Sequence, residues 1–113
     1  MAKDDYFVLV YKVLSYLYAC LKKGKNIEPI MLDRQGPIFQ GVPTRYYTYV
    51  FNNLIKQGYI IGPYIARYDD KEEALMVNES MITPDGISYL MDNSTIEKVK
   101  QFLKDIKDVV PGI

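Results

Sequence analysis

The stretch VPTRYYTYVFNNLIKQGYI, residues 42–60, contains the clearest helical pattern in this sequence. Its apolar side chains recur at the three- and four-residue spacing that forms one buried helix face. They are Tyr47, Val50, Phe51 and Leu54. Thr44 can cap this helix and Gly58 can end it, which predicts a helix over residues 44–57. The extended residues that follow are typical of a recognition helix that leads into a β-wing.

The residues before this segment predict a first helix over residues 5–23, because 6–23 contains neither glycine nor proline and Gly24 can end a helix. This helix is apolar on nearly every side, so we expect it to be buried on nearly every side. Only a narrow polar strip is left to face water. It consists of Lys12, Ser15, Ala19 and Lys22. Farther on, a short strand at 30–32 and a short helix from Pro37 are expected, with bounds left open between Ile30 and Gly41.

The residues after Gly58 predict a wing over 59–82, with the charged run 69–73 as its turn and 75–82 as the return strand. Thr83 and Pro84 can start a helix over 84–93, with Ile87, Leu90 and Met91 inward. A capping box at Ser94 starts a last helix over 95–109. This order predicts an α+β fold in a single domain, 1–113. The specific prediction is a winged helix-turn-helix with a two- to three-stranded β-wing and two C-terminal helices.

Three segments carry a resemblance to a known family. They are YKVLSYL at 11–17, GYIIG at 58–62, and ITPDGISYL at 82–90 with Asn93-Ser94 after it. These segments resemble the YjcQ family, small proteins of bacterial chromosomes and prophages. The resemblance implies a winged-helix fold and a phage-related setting, and it implies no catalytic residues.

The outer face of the predicted 44–57 helix suits DNA, because arginine can read guanine, asparagine can read adenine and tyrosine can donate to phosphates. Residues 44–68 contain three cations and no acid. Double-stranded DNA is therefore the expected partner, bound by a dimeric phage or prophage regulator. The candidate DNA-binding residues are Thr44, Arg45, Tyr46, Tyr49, Asn52, Asn53, Lys56 and Arg67.

The predicted wing tip conflicts with that interpretation, because residues 69–79 carry one lysine against five acids, and acids are repelled by phosphates. Either the wing points away from the nucleic acid or this face meets a protein. The alternative function is thus a protein-interaction module, since tyrosine is a favoured interface anchor. Its candidate patch contains Tyr46, Tyr49, Tyr64 and Tyr68.

A homodimer is expected because a domain of this size can rarely cover both apolar faces of its first helix. The alternative is that a C-terminal helix of the same chain covers the second face. The candidate interface residues are Tyr6, Leu9, Val13 and Tyr16, together with Val99, Leu103 and Ile106 of the predicted last helix.

Composition excludes most catalytic classes. The sequence has no histidine, one cysteine (Cys20) and no phosphate-binding glycine loop or metal-ligand spacing. We therefore expect no enzyme activity, no cofactor and no metal. The balance of 14 basic and 14 acidic residues gives no general attraction to a membrane surface. A cytoplasmic location is expected, because the N-terminal residues do not resemble a signal peptide.

Overall fold

Three α-helices and two short antiparallel sheets form the α+β fold of residues 4–92, the part of the chain that this computed structural model describes. The helices are α1 (Tyr6–Lys23), α2 (Thr44–Lys56) and α3 (Pro84–Asp92). The strands are β1 (Ile60–Ile61), β2 (Tyr64–Tyr68), β3 (Lys71–Leu75) and β4 (Met81–Ile82). A 3-10 helix, Val77–Glu79, lies between β3 and β4.

Helix α1 lies at the centre and packs against α2, α3 and β4. Its predicted end is confirmed: Gly24 has a φ of 65°, and the N–H of Lys25 donates to the carbonyl of Cys20 at 3.0 Å. The predicted polar strip is wrong for three of its four members, since only Lys22 is exposed. Lys12, Ser15 and Ala19 are 2%, 6% and 8% exposed. The helical pattern of the sequence does not show this burial, because it depends on neighbouring elements that cover the polar side of α1.

The connection between α1 and α2, residues 24–43, contains turns and irregular segments but no helix or strand, so the short strand and short helix expected there are wrong. Its backbone bonds join residues three apart, as between the N–H of Gly36 and the carbonyl of Asp33. Buried side chains, and not strand-to-strand hydrogen bonds, hold this loop in place. The buried residues are Met31, Leu32, Ile38, Phe39 and Val42. The phenol of Tyr47 also donates to the carbonyl of Leu32 at 2.6 Å.

Helix α2 has the predicted inward face, since Tyr47, Val50, Phe51 and Leu54 are all buried. The predicted cap by Thr44 is wrong. Pro43 occupies the cap position in an extended conformation, and Thr44 is already helical. The glycine end is confirmed: Gly58 has a φ of 73°, and the next N–H donates back to the carbonyl of Leu54 at 3.0 Å.

The predicted two- to three-stranded wing is instead two separate two-stranded sheets, β1 with β4 and β2 with β3. Gly62, with a φ of 115°, and Pro63, which has no N–H to donate, separate β1 from β2. The turn is shorter than predicted, because only Asp69 and Asp70 form it. The charged residues after them belong to β3. The predicted return strand 75–82 is broken by Met76, with a φ of 60°, and by the 3-10 helix.

Helix α3 begins as predicted, because the N–H of Gly86 donates to the Thr83 hydroxyl at 3.0 Å. Of its predicted inward residues, Leu90 is buried and Ile87 is half-buried against the core. Met91 is 56% exposed, so its prediction is wrong. The last predicted helix, 95–109, lies outside the described residues.

Candidate functional site

A groove of about 620 Å³ separates α2 from the turn of the β2–β3 hairpin. We call it the α2–hairpin groove. Its helix wall contains Thr44, Arg45, Thr48, Tyr49 and Asn52. Its hairpin wall contains Asp70, Lys71 and Glu72.

The helix wall follows from the four-residue spacing of its side chains. Thr44, Thr48 and Asn52 lie at successive four-residue steps, and Arg45 and Tyr49 form the neighbouring row, so all five occupy one side of α2. Thr48 is buried at the base of this side, whereas Tyr49 is 58% exposed. The helix therefore presents hydroxyl, amide, guanidinium and phenol groups together.

The aromatic ring of Tyr49 packs against another aromatic side chain. It packs edge-on against the ring of Tyr6, with the centroids 5.8 Å apart and the planes at 70°. Tyr6 makes a second edge-on contact with Phe7 at 5.2 Å. These contacts restrict the Tyr49 side chain while leaving more than half of it open to solvent.

The hairpin wall is positioned by a tight two-residue turn. Asp69 and Asp70 both have positive φ, 50° and 63°, and the register then pairs Tyr68 with Lys71 and Arg67 with Glu72. The hairpin packs with this acidic tip beside α2. Since α2 contacts both strands of the hairpin, the two walls belong to one packed unit.

The structure brings together four of the eight predicted DNA-binding residues in this groove. They are Thr44, Arg45, Tyr49 and Asn52. Lys56 is exposed at the end of α2 and Arg67 is exposed on β2, but neither lines the groove. Arg67 instead pairs with Glu72 at 3.3 Å.

The remaining two predicted residues, Tyr46 and Asn53, are half-buried and use their polar groups within the chain. The phenol of Tyr46 donates to the carbonyl of Asp4 at 2.6 Å. Burial raises the pKa of this phenol, and the nearby carboxylates of Asp4 and Asp5 raise that pKa further. The amide of Asn53 donates to the carbonyl of Tyr49 at 2.9 Å. Both groups are therefore less available to a ligand than the sequence suggested.

Sequence reasoning missed four residues of the groove: Thr48, Asp70, Lys71 and Glu72. The four-residue spacing from Thr44 to Asn52 could have indicated Thr48. The approach of the hairpin turn to α2 has no local sequence signal, because it depends on how the hairpin packs.

The charges of the groove are balanced. Arg45 and Lys71 contribute two cations, and Asp70 and Glu72 contribute two acids. The carboxylates of Asp4 and Asp5 act on Tyr46, in the same turn of α2 as Arg45. The first turn of α2 therefore lies between two sets of carboxylates, Asp70 and Glu72 of the hairpin and Asp4 and Asp5 near Tyr46.

Two further tyrosines of the predicted patch, Tyr64 and Tyr68, lie on the outer face of the hairpin, 51% and 52% exposed. Their strand neighbour Ile65 pairs with Ala74, which packs against the core, so the alternating tyrosines face outward. The Tyr68 phenol donates to a Glu73 carboxylate oxygen at 2.7 Å, and this hydrogen bond raises its pKa.

The predicted dimer face of α1 is already covered within one chain. Leu9, Val13 and Tyr16 are 0%, 0% and 3% exposed, and Tyr6 is half-buried. Of the two C-terminal helices that the alternative could involve, α3 packs against α1, and the predicted helix 95–109 lies outside the described residues. The other candidates, Val99, Leu103 and Ile106, lie outside the described residues.

Within residues 4–92, no group of three or more histidine, cysteine, aspartate or glutamate side chains is placed to hold a metal ion. In the same range, no helix combines the length and the apolar character needed to cross a membrane.

The family model described as "YjcQ protein" matches residues 11–109. No curated protein and no solved structure matches the chain. The matched range includes both walls of the α2–hairpin groove.

Proposed function

We propose that this chain, which belongs to the YjcQ family, is a binding module that engages a protein partner through the α2–hairpin groove. The position of Asp70 and Glu72, which share the groove with Arg45, carries this proposal. Both signs of charge beside an exposed tyrosine suit a protein surface better than a polyanion. We assign the groove a binding role, and the sequence lacks histidine, the commonest general base.

Electrostatics disfavour a uniformly negative ligand in this groove. Arg45, Asp70, Lys71 and Glu72 line one groove of about 620 Å³, so an ion bound there lies near all four charges. A phosphate that contacts Arg45 therefore also experiences Lys71, Asp70 and Glu72, so two repulsions offset two attractions and the groove offers a polyanion no net attraction. A protein segment avoids this conflict, since it can offer a carboxylate to Arg45 and a cation to Asp70.

Tyr49 is the expected anchor for such a partner. Tyrosine supplies a large contact area with only two side-chain torsions to order, so it costs little entropy on binding. The edge-on contact with Tyr6 already restricts its ring. Thr44 and Asn52 on the same wall add groups that donate and accept hydrogen bonds.

Double-stranded DNA is a second candidate, favoured by one specific observation. Residues 44–68 contain three cations and no acid, and Arg45 and Lys56 are exposed on α2. This candidate is a winged-helix regulator of phage or prophage origin, with α2 in the major groove. Three cations neutralise only a few phosphates, so such a regulator would act as a homodimer. The hairpin acids would then weaken its binding.

The two candidates differ in whether the chain binds DNA and in how the groove charges would change that binding. We would titrate fluorescent genomic DNA fragments at low and moderate salt with the wild-type protein, Arg45→Ala, and Asp70→Asn combined with Glu72→Gln. Asp92→Asn is the control, because this exposed acid lies outside the groove. The protein-partner proposal predicts no salt-sensitive binding by the wild type at micromolar concentrations.

The opposite result would favour DNA. In that case the wild type would bind DNA, and Arg45→Ala would weaken the binding. Asp70→Asn combined with Glu72→Gln would strengthen it roughly tenfold, because two repulsions with phosphate are removed.

A further inference from the structure

Three large apolar side chains are exposed beside one another on the side of the fold formed by α1, β1 and β4. Leu21, Ile61 and Met81 are 47%, 59% and 53% exposed. Ile61 and Met81 are direct cross-strand partners, and Met81 lines a groove of about 460 Å³ together with Leu21. We call these three residues the Met81 surface.

Strand alternation explains why this surface exists. The two-residue ladder of β1 and β4 has one pair turned inward, Ile60 with Ile82, which are 1% and 4% exposed. Successive residues of a strand point to opposite faces, so the next pair, Ile61 with Met81, points outward. The sequence places large apolar residues on both faces of this ladder, whereas a solvated outer face normally carries polar ones.

The lining of the groove beside Met81 is half apolar and half polar. The apolar residues are Leu17, Cys20, Leu21, Ile27 and Met81, and the polar ones are Lys25, Asn26, Asn78, Glu79 and Ser80. We call its two exposed charged residues, Lys25 and Glu79, the rim residues. Within residues 4–92 the ion pair is that of Arg67 with Glu72, so neither rim residue is paired inside this range. Both are exposed and have opposite charges.

We propose that the Met81 surface is the contact between two copies of this chain. A two-fold symmetric contact joins the same patch on both copies, so a rim residue of one copy can meet a different rim residue of the other. Lys25 and Glu79 have the opposite signs that this arrangement requires, and they form two equivalent pairs around an apolar centre. The three half-exposed apolar side chains are then removed from water.

This contact is independent of what the α2–hairpin groove binds, because the two grooves share no lining residue. It also differs from the dimer face expected on α1, whose residues Leu9, Val13 and Tyr16 are buried within one chain. Failure of this proposal would leave the proposed function untouched, and the reverse also holds.

Sedimentation of the full chain over a concentration series tests the apolar part of the contact. A contact this small should dissociate at roughly micromolar to hundreds of micromolar protein. We expect the wild type to dimerise in that range. Met81→Asp should weaken the dimer at least about tenfold, whereas Met91→Asp, an exposed methionine outside this groove, should not. A wild type that stays monomeric throughout, or a Met81→Asp protein that dimerises unchanged, would overturn the proposal.

A charge exchange between two variants tests the pairing itself. Lys25→Glu alone and Glu79→Lys alone each place like charges across the contact, so each should dimerise less than the wild type. An equimolar mixture restores opposite charges at both pairs, and we expect a heterodimer close to wild-type affinity. This rescue requires an intermolecular contact, because each chain in the mixture still carries like charges within itself. A mixture that stays as weak as the single variants would rule out the pairing.

Discussion

Arg45, in the first turn of α2, and Asp70, in the turn of the β2–β3 hairpin, line the same groove although they lie 25 positions apart in the sequence. A basic helix face and an acidic turn, which look like separate features in the sequence, therefore form one charge-balanced surface. This relationship directs our interpretation toward a protein partner.

Substitutions in this groove should leave the fold intact. Arg45→Ala and Asp70→Asn should each change the free energy of unfolding by no more than about 0.5 kcal/mol, because both side chains are exposed. Asparagine also tolerates the positive φ of residue 70. Urea denaturation would check this. A loss above about 2 kcal/mol would show that the groove charges stabilise the fold, and binding defects of these variants would then need another explanation.

The buried phenol of Tyr47 should stabilise the fold through its bond to the loop. Tyr47→Phe removes its 2.6 Å hydrogen bond and leaves the Leu32 carbonyl without that donor, so we expect a loss of about 1–2 kcal/mol in urea denaturation. Tyr64→Phe is the matched control, because Tyr64 is 51% exposed. Equal stability of the two variants would contradict the role assigned to this bond.

The same residue gives an alkaline pH dependence. Burial raises the pKa of Tyr47 to about 12, from 10.0. Between these pH values the unfolded chain releases the phenolic proton and the folded chain retains it, so stability is fully present below pH 10 and falls as pH rises. The total contribution is roughly 2–3 kcal/mol. Tyr47→Phe should therefore lose less stability than the wild type between pH 9 and pH 12, and an identical slope would argue against this assignment.

The first turn of α3 should reject a methyl group. A Cβ at Gly86 would lie 2.3 Å from the carbonyl oxygen of Tyr59 and 2.8 Å from Cγ1 of Ile82. Alanine normally favours a helix over glycine by about 1 kcal/mol. Here we expect crowding to exceed that gain, so that Gly86→Ala costs at least about 2 kcal/mol by thermal or urea denaturation. Ser88→Ala, at an exposed position of α3, controls for helix propensity. A stabilised Gly86→Ala protein would contradict the close packing.

Thr83 should connect α3 to the end of α2. Its hydroxyl accepts from the N–H of Gly86 and donates to the carbonyl of Gly58. Thr83→Val keeps the shape of the side chain but removes both bonds, with an expected cost of about 1–2 kcal/mol. Thr83→Ser should retain most of the stability. If valine and serine gave the same denaturation midpoint, the hydroxyl would not be the stabilising group.

Several features that depend on local sequence were predicted correctly, although the Thr44 cap and the inward position of Met91 were not. The inward face of α2, the glycine that ends α1 and the cap by Thr83 each follow from residues within one or two turns. Features that depend on distant neighbours were not. Lys12 is buried although its own helix pattern marks it as polar. The acids of β3 were predicted to form a turn, because acidic residues are rare in strands. In the structure, a cross-strand partner, Arg67, pairs with one of them, Glu72.

The candidate site divides in the same way. Helical spacing brought Arg45, Tyr49 and Asn52 to one surface, as predicted. The backbone partner of Tyr46 could not be predicted, because it lies 42 positions away. The partner of Asn53 lies four residues earlier in the same helix and was missed although it is local. The opposing acids required knowledge of where the hairpin packs.

Site-specific photo-crosslinking in cells tests the central claim most directly. A benzophenone side chain would replace Tyr49 in the α2–hairpin groove, and a matched protein would carry it at exposed Met91 outside that groove. We expect position 49 alone to give one discrete, nuclease-resistant protein adduct, which Arg45→Glu and Asp70→Lys each abolish and Asp92→Asn leaves intact. A nuclease-sensitive adduct at position 49, or the same adducts from both positions, would contradict a protein partner in this groove.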